Sequence, residues 1–277
     1  MKVNPVKITE EISIGSGKPP LIIAGPCAME SYEILCETFV ELKKLSEKYH
    51  FNFIFKSSFD KANRTSYTSF RGPGIDIGLS WIEKMKNEFG EFDFLVDVHE
   101  ISQIEAASKV ATILQVPAFL CRQTDFIRAV SSSNLPINIK KGQFLSPDDV
   151  PHVVNKAKST GNNKIFVTER GTTFGYNNLV VDFRTLPRIR EQGIPVIMDS
   201  THAVQLPGGS KGNSGGLREY VPYLARGAAA VGVDGFFFET HPSPDNALCD
   251  GPNMIDFKTF EKTVDEILKI DKIISKE

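Results

Sequence analysis

The sequence has few cysteines and no motif that pairs them. Its four cysteines, Cys27, Cys36, Cys121 and Cys249, are spread over 277 residues, and none has CxxC spacing. The segment 1–20 mixes charges with prolines and lacks the apolar core of a signal peptide. We therefore expect free thiols rather than disulfides, in a soluble cytoplasmic protein.

The sequence also lacks a strong net charge and any long apolar run. Lysines and arginines number 32 against 34 aspartates and glutamates, which leaves a formal net charge of −2. Bulk charge therefore indicates no nucleic-acid partner and no membrane partner. No apolar run approaches the roughly 20 residues that a membrane span needs. Any site for an anion must come from a local cluster of cations.

A dinucleotide-binding GxGxxG is missing after the first predicted strand, which removes the usual reason to expect a doubly wound open sheet. The sequence has instead eight short apolar runs that alternate with amphipathic helical segments. Such alternation predicts parallel strands, and eight units in about 250 residues match a (β/α)8 TIM barrel. We expect a single barrel domain over residues 1–277, with residues 1–20 as an N-terminal β-hairpin that covers one end. The predicted strands are 21–24, 52–56, 92–96, 111–116, 137–140, 164–168, 195–198 and 235–238.

One loop concentrates cations and hydroxyl groups. The segment 55–74 includes the end of the second predicted strand and carries Lys56, Lys61, Arg64 and Arg71, with serines and threonines between them. Arginine and lysine make charge-assisted hydrogen bonds to phosphate and carboxylate oxygens. The loop therefore suits a ligand rich in anionic oxygens, although an ordinary solvated basic loop would have the same composition.

Groups that bind or titrate follow all eight predicted strands. Catalytic residues of a barrel lie at the carboxyl ends of its strands, so this pattern indicates an enzyme. One set is cationic and needs compensating anions, such as two phosphates or a phosphate and a carboxylate. That set comprises Lys56, Lys61, Arg64, Lys140 and Arg170, with Arg122 as a further candidate. The other strand-end groups are Cys27, Ser58, Asp97, His99, Gln115, Lys141, Gln143, Glu169, Asp199, His202, Glu239 and His241.

A second cluster combines sulfur, nitrogen and oxygen ligands. Closure of a barrel places the eighth strand beside the first, so Cys27 and Glu239 become neighbours, and His202 lies one strand further. Together with Asp250 these groups suit a divalent ion such as Fe²⁺, Zn²⁺ or Mn²⁺. Each alone has a simpler explanation, as a buried thiol, a hydrogen-bonded histidine or a carboxylate paired with a lysine. His99 and His241 are competing candidate ligands.

Several motifs together resemble one enzyme family, the 3-deoxy-D-manno-octulosonate 8-phosphate synthases. The resemblance runs from about residue 20 to the C-terminus, and the combination of motifs is specific. The motifs are Lys61-Ala62-Asn63-Arg64, Arg71-Gly72-Pro73-Gly74, Asp97-Val98-His99-Glu100, the stretch 117–125, Lys140-Lys141-Gly142-Gln143-Phe144, the stretch 174–182 and Cys249-Asp250-Gly251-Pro252.

The resemblance implies a homotetramer that condenses phosphoenolpyruvate with D-arabinose 5-phosphate and releases inorganic phosphate, a step in lipopolysaccharide biosynthesis. It implies that Lys61 and Lys140 hold phosphoenolpyruvate, with Lys56 alongside. On the phosphate of phosphoenolpyruvate it places Ser58, Gln115, the backbone of Ala118, and Arg170. Towards the sugar it places Asn63 and Asp97, and at the sugar phosphate Arg64, Thr65 and, from a neighbouring subunit, Arg122. We expect Gln143 at the substrate site as well, and Asp250 or His202 to move protons.

The resemblance also bears on the metal. The family has a metal-dependent and a metal-free branch, and Cys27 resembles the metal-dependent branch because the other has asparagine there. Cys27, His202, Glu239 and Asp250 match the four expected ligands. Cys249 departs from the pattern, since serine more often precedes the aspartate in the metal-dependent branch. Whether the metal is essential stays open.

Two other functions stay open as alternatives. One is the related 3-deoxy-heptulosonate 7-phosphate synthase, which uses erythrose 4-phosphate and typically has Lys-Pro-Arg where this chain has Lys61-Ala62-Asn63-Arg64. The other is a non-catalytic barrel that binds a sugar phosphate or a metal. In either case the Gly/Ser-rich run Pro207–Gly216 is long for its position, which predicts a mobile lid.

Overall fold

The protein is built around a closed barrel of eight parallel strands, as predicted. Its structure, a computed structural model, describes residues 3–210 and 213–274. The strands are β1 (Val6–Lys7), β2 (Ser13–Ile14), β3 (Leu21–Gly25), β4 (Asn52–Lys56), β5 (Phe94–Asp97), β6 (Ile113–Val116), β7 (Ile137–Lys140), β8 (Ile165–Glu169), β9 (Thr172–Thr173), β10 (Leu179–Val180), β11 (Val196–Asp199), β12 (Gln205–Ser210), β13 (Asn213–Gly216) and β14 (Gly235–Glu239).

The barrel closes in the order β3-β4-β5-β6-β7-β8-β11-β14, and β14 pairs with β3. Helices follow the barrel strands and pack outside them. Because both faces of each barrel strand are covered, these strands are buried along almost their whole length. The helices in the described residues are α1 (Tyr32–Tyr49), α2 (Ile75–Phe89), α3 (Ile104–Val110), α4 (Thr124–Ser131), α5 (Val150–Lys158), α6 (Thr185–Glu191), α7 (Val221–Val231) and α8 (Phe257–Ile274).

Helix α1 illustrates how the sequence sets these elements. The Ser31 hydroxyl accepts a hydrogen bond from the backbone N–H of Ile34 at 3.2 Å, which caps the helix start. The helix ends at His50, whose left-handed backbone (φ 56°) turns the chain towards β4. Its apolar residues recur with helical spacing, so one face packs on the barrel and the other meets water.

Six barrel strands end on a charged residue. Four of them, β5, β8, β11 and β14, run one residue beyond the predicted end, because the final carboxylate stays in the sheet and finds partners inside the barrel mouth. Side chains held on a strand are more rigidly placed than side chains on a loop. The six strand-terminal residues are Lys56, Asp97, Lys140, Glu169, Asp199 and Glu239.

The predicted N-terminal hairpin is confirmed. Strand β1 pairs antiparallel with β2, with Val6 opposite Ile14. Its apolar residues fill the end of the barrel at which the strands begin, and so close the interior opposite the mouth. The cluster joins Val6, Ile8, Ile12 and Ile14 to Leu21, Ile23, Ile54, Leu95, Ile113, Phe166, Ile197 and Phe237.

Two further hairpins rise from the loops at the mouth. Strand β9 pairs with β10, and β12 pairs with β13. The second hairpin occupies most of the predicted lid Pro207–Gly216, but it begins earlier, at Gln205; residues 211 and 212 lie outside the described residues. Its mobility stays a prediction. Among the residues that the structure describes, no helix combines the length and apolarity needed to cross a membrane.

Candidate active site

A cavity of about 440 Å³ opens at the carboxyl ends of the barrel strands. Its wall contains most of the residues predicted from the strand ends and from the family motifs. Residues separated widely along the chain are therefore brought to one place, as barrel topology requires. The predicted residues in the wall are Lys56, Lys61, Asn63, Arg64, Thr65, Asp97, Gln115, Ala118, Lys140, Gln143, Arg170, His202, Glu239 and Asp250.

Three of the residues predicted to bind substrate or metal do not line this cavity. The hydroxyl of Ser58 lies behind the wall, where it accepts a hydrogen bond from Lys56 Nζ at 3.0 Å and donates to Asp97 Oδ1 at 2.5 Å. Cys27 is fully buried, and its carbonyl accepts from Lys56 Nζ at 3.2 Å. Arg122 is exposed and lines a neighbouring cavity instead. Its approach to another subunit's site stays a prediction.

Two buried lysines lie over the ring of Phe237 at the cavity floor. The Nζ atom of Lys140 is 3.4 Å from the ring centroid and that of Lys56 is 5.6 Å away, so the aromatic face stabilises both charges. Burial lowers the pKa of Lys140 to about 8, although the carboxylate of Asp199, to which Lys140 donates a hydrogen bond, opposes the shift. An anion in the cavity would stabilise the charged form.

Arg170 presents an unsatisfied donor to the same cavity. The residue is buried, and its Nη2 donates to Gln205 Oε1 at 2.8 Å, while Nη1 has no hydrogen-bond partner. A buried guanidinium nitrogen without a partner is costly unless an anion binds it. The Oε1 atom of Gln143 is likewise buried without a partner. The free donor of Arg170 indicates a place for an anion, and the free acceptor of Gln143 indicates a place for a hydroxyl or another donor of the ligand.

The predicted metal ligands lie together beside the lysines. His202, Glu239 and Asp250 each offer an atom within 4.8 Å of the other two, and so do Cys27, Cys249 and Asp250. The two groups share Asp250. His202 Nε2 is 3.5 Å from Glu239 Oε2 and 3.9 Å from Asp250 Oδ2. The four predicted ligands are therefore divided between two neighbouring groups that are joined through Asp250, and Cys249 belongs to the group of Cys27.

The electrostatics of this spot fit a cation. Burial alone would raise the pKa of Glu239, but the charges of His202, Lys56 and Lys61 lower it to about 2. One oxygen, Oε1, accepts from Lys56 Nζ at 3.2 Å, whereas Oε2 is buried without a hydrogen-bond donor. An ionised, buried oxygen with no donor is the kind of group that a divalent ion satisfies.

Asp199 orients the histidine of this cluster. Its Oδ1 accepts from the backbone N–H of His202 at 2.9 Å, and its Oδ2 lies 2.7 Å from His202 Nδ1. The Nε2 atom is thereby directed towards Glu239 and Asp250. A carboxylate behind a ligand histidine is typical of metal sites, where it sets the ring orientation.

The competing histidines have other neighbours. His99 Nε2 is 3.0 Å from Asp97 Oδ2. His241 Nδ1 accepts a hydrogen bond from the backbone N–H of Ser243 at 3.0 Å, and its Nε2 lies 3.6 Å from Glu30 Oε2 without a hydrogen-bond partner in the described part of the chain. Neither belongs to the groups of potential ligands found among the described residues. The hydrogen bond to His99 and the charge of Lys56 lower the pKa of Asp97, against the effect of burial, so its carboxylate is ionised in the cavity wall.

Comparison with known proteins places the chain in a family. The model of the DAHP synthetase I family matches residues 3–276. The chain belongs to the DAHP synthetase I family. The match includes every barrel strand and every residue of the cavity wall, so it extends over all the residues that the structure describes.

Individual proteins are similar to this chain over nearly its full length. A protein of Xylella fastidiosa (strain M12) is 54% identical over 263 residues, 95% of each chain. One of Desulfatibacillum aliphaticivorans is 51% identical over 272 residues, 98% of this chain and 99% of its own. One of Legionella pneumophila (strain Lens) is 52% identical over 262 residues, 95% of each chain. All three are named 2-dehydro-3-deoxyphosphooctonate aldolase. The resemblance drawn from the motifs is confirmed.

Sequence reasoning missed three features of the site in this family member. Phe237 was hidden in an all-apolar strand, Phe236-Phe237-Phe238, whose alternation puts only the middle ring inside the barrel. Asp199 was recognised as a strand-end group, but its bonds to Lys140 and His202 were not foreseen. Cys249 stands out in the sequence only as a departure from the family pattern. Its proximity to Cys27 has no local signal in the sequence.

Proposed function

We propose that this chain condenses phosphoenolpyruvate with D-arabinose 5-phosphate and water, yielding 3-deoxy-D-manno-octulosonate 8-phosphate and inorganic phosphate for lipopolysaccharide biosynthesis. The observation that carries the proposal is the cationic cavity in a chain 51–54% identical to proteins named for an eight-carbon 2-keto-3-deoxy acid phosphate. The two substrates bring two phosphates and a carboxylate, which would compensate the buried lysines and Arg170.

Binding would be divided along the cavity. Lys61, Lys140 and Arg170 would hold phosphoenolpyruvate, since their cationic groups surround the floor of the cavity. Lys56, Gln115, Gln143 and the backbone of Ala118 would complete that end, and Ser58 would hold Lys56 and Asp97 in position from behind. At the other end, the sugar would face Asn63 and Asp97, with its phosphate on Arg64 and Thr65.

The reaction joins two anions that repel each other. C3 of phosphoenolpyruvate attacks the aldehyde carbon, water adds at C2, and the resulting phosphorylated hemiketal expels phosphate. The aldehyde oxygen gains a proton and the water loses one. Asp250 or His202 would exchange these protons, and the cations would align the substrates and stabilise the charge that develops.

Cys27, His202, Glu239 and Asp250 would hold a divalent ion, Fe²⁺, Zn²⁺ or Mn²⁺. Bound there, such an ion supplies polarisation of the aldehyde or orientation of the water. The donor-free oxygen of Glu239 supports this part of the proposal. Assembly as a cytoplasmic homotetramer, with Arg122 reaching the sugar phosphate of a neighbouring subunit, completes it.

The heptulosonate alternative is less well supported. The three relatives reported above carry an octonate name, and this chain has Lys61-Ala62-Asn63-Arg64 rather than Lys-Pro-Arg. A non-catalytic barrel would bind phosphoenolpyruvate without turnover. The cavity of this chain contains both the cationic groups that would bind the substrate anions and the carboxylates and histidine that would act on them. We therefore favour catalysis over binding alone.

The test is release of inorganic phosphate from phosphoenolpyruvate plus arabinose 5-phosphate, before and after chelation, with erythrose 4-phosphate in parallel. We expect release with the five-carbon sugar only, lost on chelation and restored by a divalent ion. Lys61→Ala, purified identically, should be folded and inactive, which excludes a contaminating phosphatase. Release that survives chelation would make the ion dispensable, and no release with either sugar would contradict the proposed reaction.

A further inference from the structure

A second cysteine lies at the candidate metal centre. The sulfur of Cys249 is 3.0 Å from that of Cys27, and both residues are buried. Cys27 Sγ is also 3.6 Å from Asp250 Oδ2. One ligand atom from each of these three residues lies within 4.8 Å of the others, as close as the corresponding atoms of His202, Glu239 and Asp250. The two groups share Asp250, so together they offer five candidate donors, two of them sulfur.

A buried cysteine can simply act as a small apolar residue, and Cys249 does pack with Ala28 and Met254. Its sulfur is nevertheless held by a polar contact, because Arg64 Nη1 donates to it at 3.0 Å. The same nitrogen lies 3.4 Å from Asp250 Oδ1. Hydrogen bonds of this kind orient ligand atoms around a metal. Arg64 therefore fixes two neighbouring donors at once.

The backbone at Asp250 supports the same conclusion. Asp250 has φ 48° and ψ 22°, in the left-handed region that residues other than glycine rarely occupy. This conformation lets two consecutive residues, Cys249 and Asp250, bring their side chains to the same spot. Such backbone strain persists where the surroundings impose it, and it clusters at functional sites.

We propose that Cys249 is a second thiolate ligand of this centre and makes it select thiophilic ions such as Zn²⁺ or Cd²⁺ over Mn²⁺. Thiolates favour zinc and softer metals, whereas carboxylates suit Mn²⁺. The proposal rests on the metal centre described under Proposed function, and it goes further by naming a ligand outside the predicted four and the class of ion that this ligand selects.

The first experiment counts metal–sulfur bonds. Co²⁺ is titrated into the metal-free protein, and the thiolate-to-cobalt absorption in the near ultraviolet is measured, since its intensity follows the number of bound thiolates. We expect Cys249→Ser and Cys27→Ser each to retain about half of the wild-type intensity, and the double variant to retain none. Cys36→Ser is the matched control, because Cys36 lies on α1 outside the barrel; it should leave the spectrum unchanged.

The second experiment measures selectivity by competition with a chelator. Cys249→Ser should lower the affinity for Zn²⁺ and Cd²⁺ by at least about tenfold and should leave the affinity for Mn²⁺ unchanged. Removal of a residue that only hydrogen-bonds to a ligand already costs about tenfold in metal affinity, so loss of a ligand should cost no less. Cys249→Ala repeats the measurement with no oxygen that could substitute for the sulfur. Circular dichroism and thermal melting of the metal-free variants establish that each is folded.

The outcomes separate the two proposals. If Cys249→Ser and Cys249→Ala keep the full cobalt absorption while Cys27→Ser loses it, Cys249 is not a ligand and the four-residue centre stands. If the wild-type protein shows no thiolate absorption, the Cys249 proposal is wrong and so is the Cys27 ligand. Phosphate release by the same preparation decides the proposed reaction independently.

Discussion

Lys140 lies over Phe237 and beside Asp199 in the floor of the cavity, with its pKa lowered to about 8 by burial. Below that pH the side chain is charged and can bind an anion; above it the side chain is neutral and cannot. The affinity for phosphoenolpyruvate should therefore weaken by about tenfold between roughly pH 7 and pH 9. Isothermal titration calorimetry across that range measures this change.

The control for this prediction is Lys140→Met, which keeps the length of the side chain but has no charge. It should bind phosphoenolpyruvate weakly at every pH and lack the change in affinity near pH 8. If this variant retains the same pH dependence as the wild-type protein, another group titrates and the assignment to Lys140 is wrong.

Asp199 connects the lysine to the histidine of the metal centre. The positive charges of His202 and Lys140 lower its pKa, against the effect of burial, so it is ionised. Asp199→Asn keeps the shape but loses the charge and one acceptor, and His202 is no longer held in place. We expect phosphate release to fall by about 10–100-fold. Asp182→Asn, on the surface, is the control; full turnover by Asp199→Asn would exclude the positioning role.

Among the elements, the β12–β13 hairpin depends on close packing at its base. A Cβ atom added at Gly216 would lie 1.6 Å from Asn253 Oδ1 and 2.8 Å from the carbonyl oxygen of Pro252. Gly216→Ala must therefore push the hairpin away from the segment that follows Asp250. We expect a loss of about 1–3 kcal/mol in the free energy of unfolding, together with reduced turnover.

The adjacent glycine provides the matched control for that prediction. A Cβ atom at Gly215 would meet nothing closer than Leu206 Cβ at 3.5 Å, an ordinary contact. Gly215→Ala should therefore retain both stability in urea unfolding and phosphate release. Equal effects of the two substitutions would show that the contact with Asn253 does not govern the hairpin.

For the whole molecule, the N-terminal hairpin stabilises the barrel at the end opposite the site. Ile14 is fully buried there among residues of the barrel interior. Ile14→Ala should lower the free energy of unfolding by about 2–5 kcal/mol, since it leaves a cavity in a packed core. Denaturant unfolding measures this loss, while phosphate release per folded molecule at low temperature should be unchanged.

Lys7→Ala on the same hairpin serves as the comparison. Lys7 is exposed, and among the described residues its ammonium group pairs with Glu10 alone, so its loss should cost less than about 0.5 kcal/mol. If Ile14→Ala also lowered phosphate release per folded molecule, the hairpin end of the barrel would influence the site at the mouth. That result would contradict the prediction that the hairpin contributes to stability alone.

The order of the residues was enough to predict the barrel, its N-terminal hairpin and most of the charged and polar residues that line the mouth. The alternation of apolar strands with amphipathic helices is a local property, and parallel topology then brings all strand ends to one face. The family motifs added the chemistry, since the spacing within Lys61-Ala62-Asn63-Arg64 or Cys249-Asp250-Gly251-Pro252 can be read directly from the chain.

Which of these groups touch one another depends on the folded molecule. Cys249 meets Cys27 although 222 residues separate them, Lys140 rests on Phe237, and Arg122 lies outside the cavity of its own chain. Such contacts depend on how the barrel closes and on which side-chain conformations fit beside one another. Residue order and periodicity record the geometry of chain neighbours, so they carry no information about these long-range pairings.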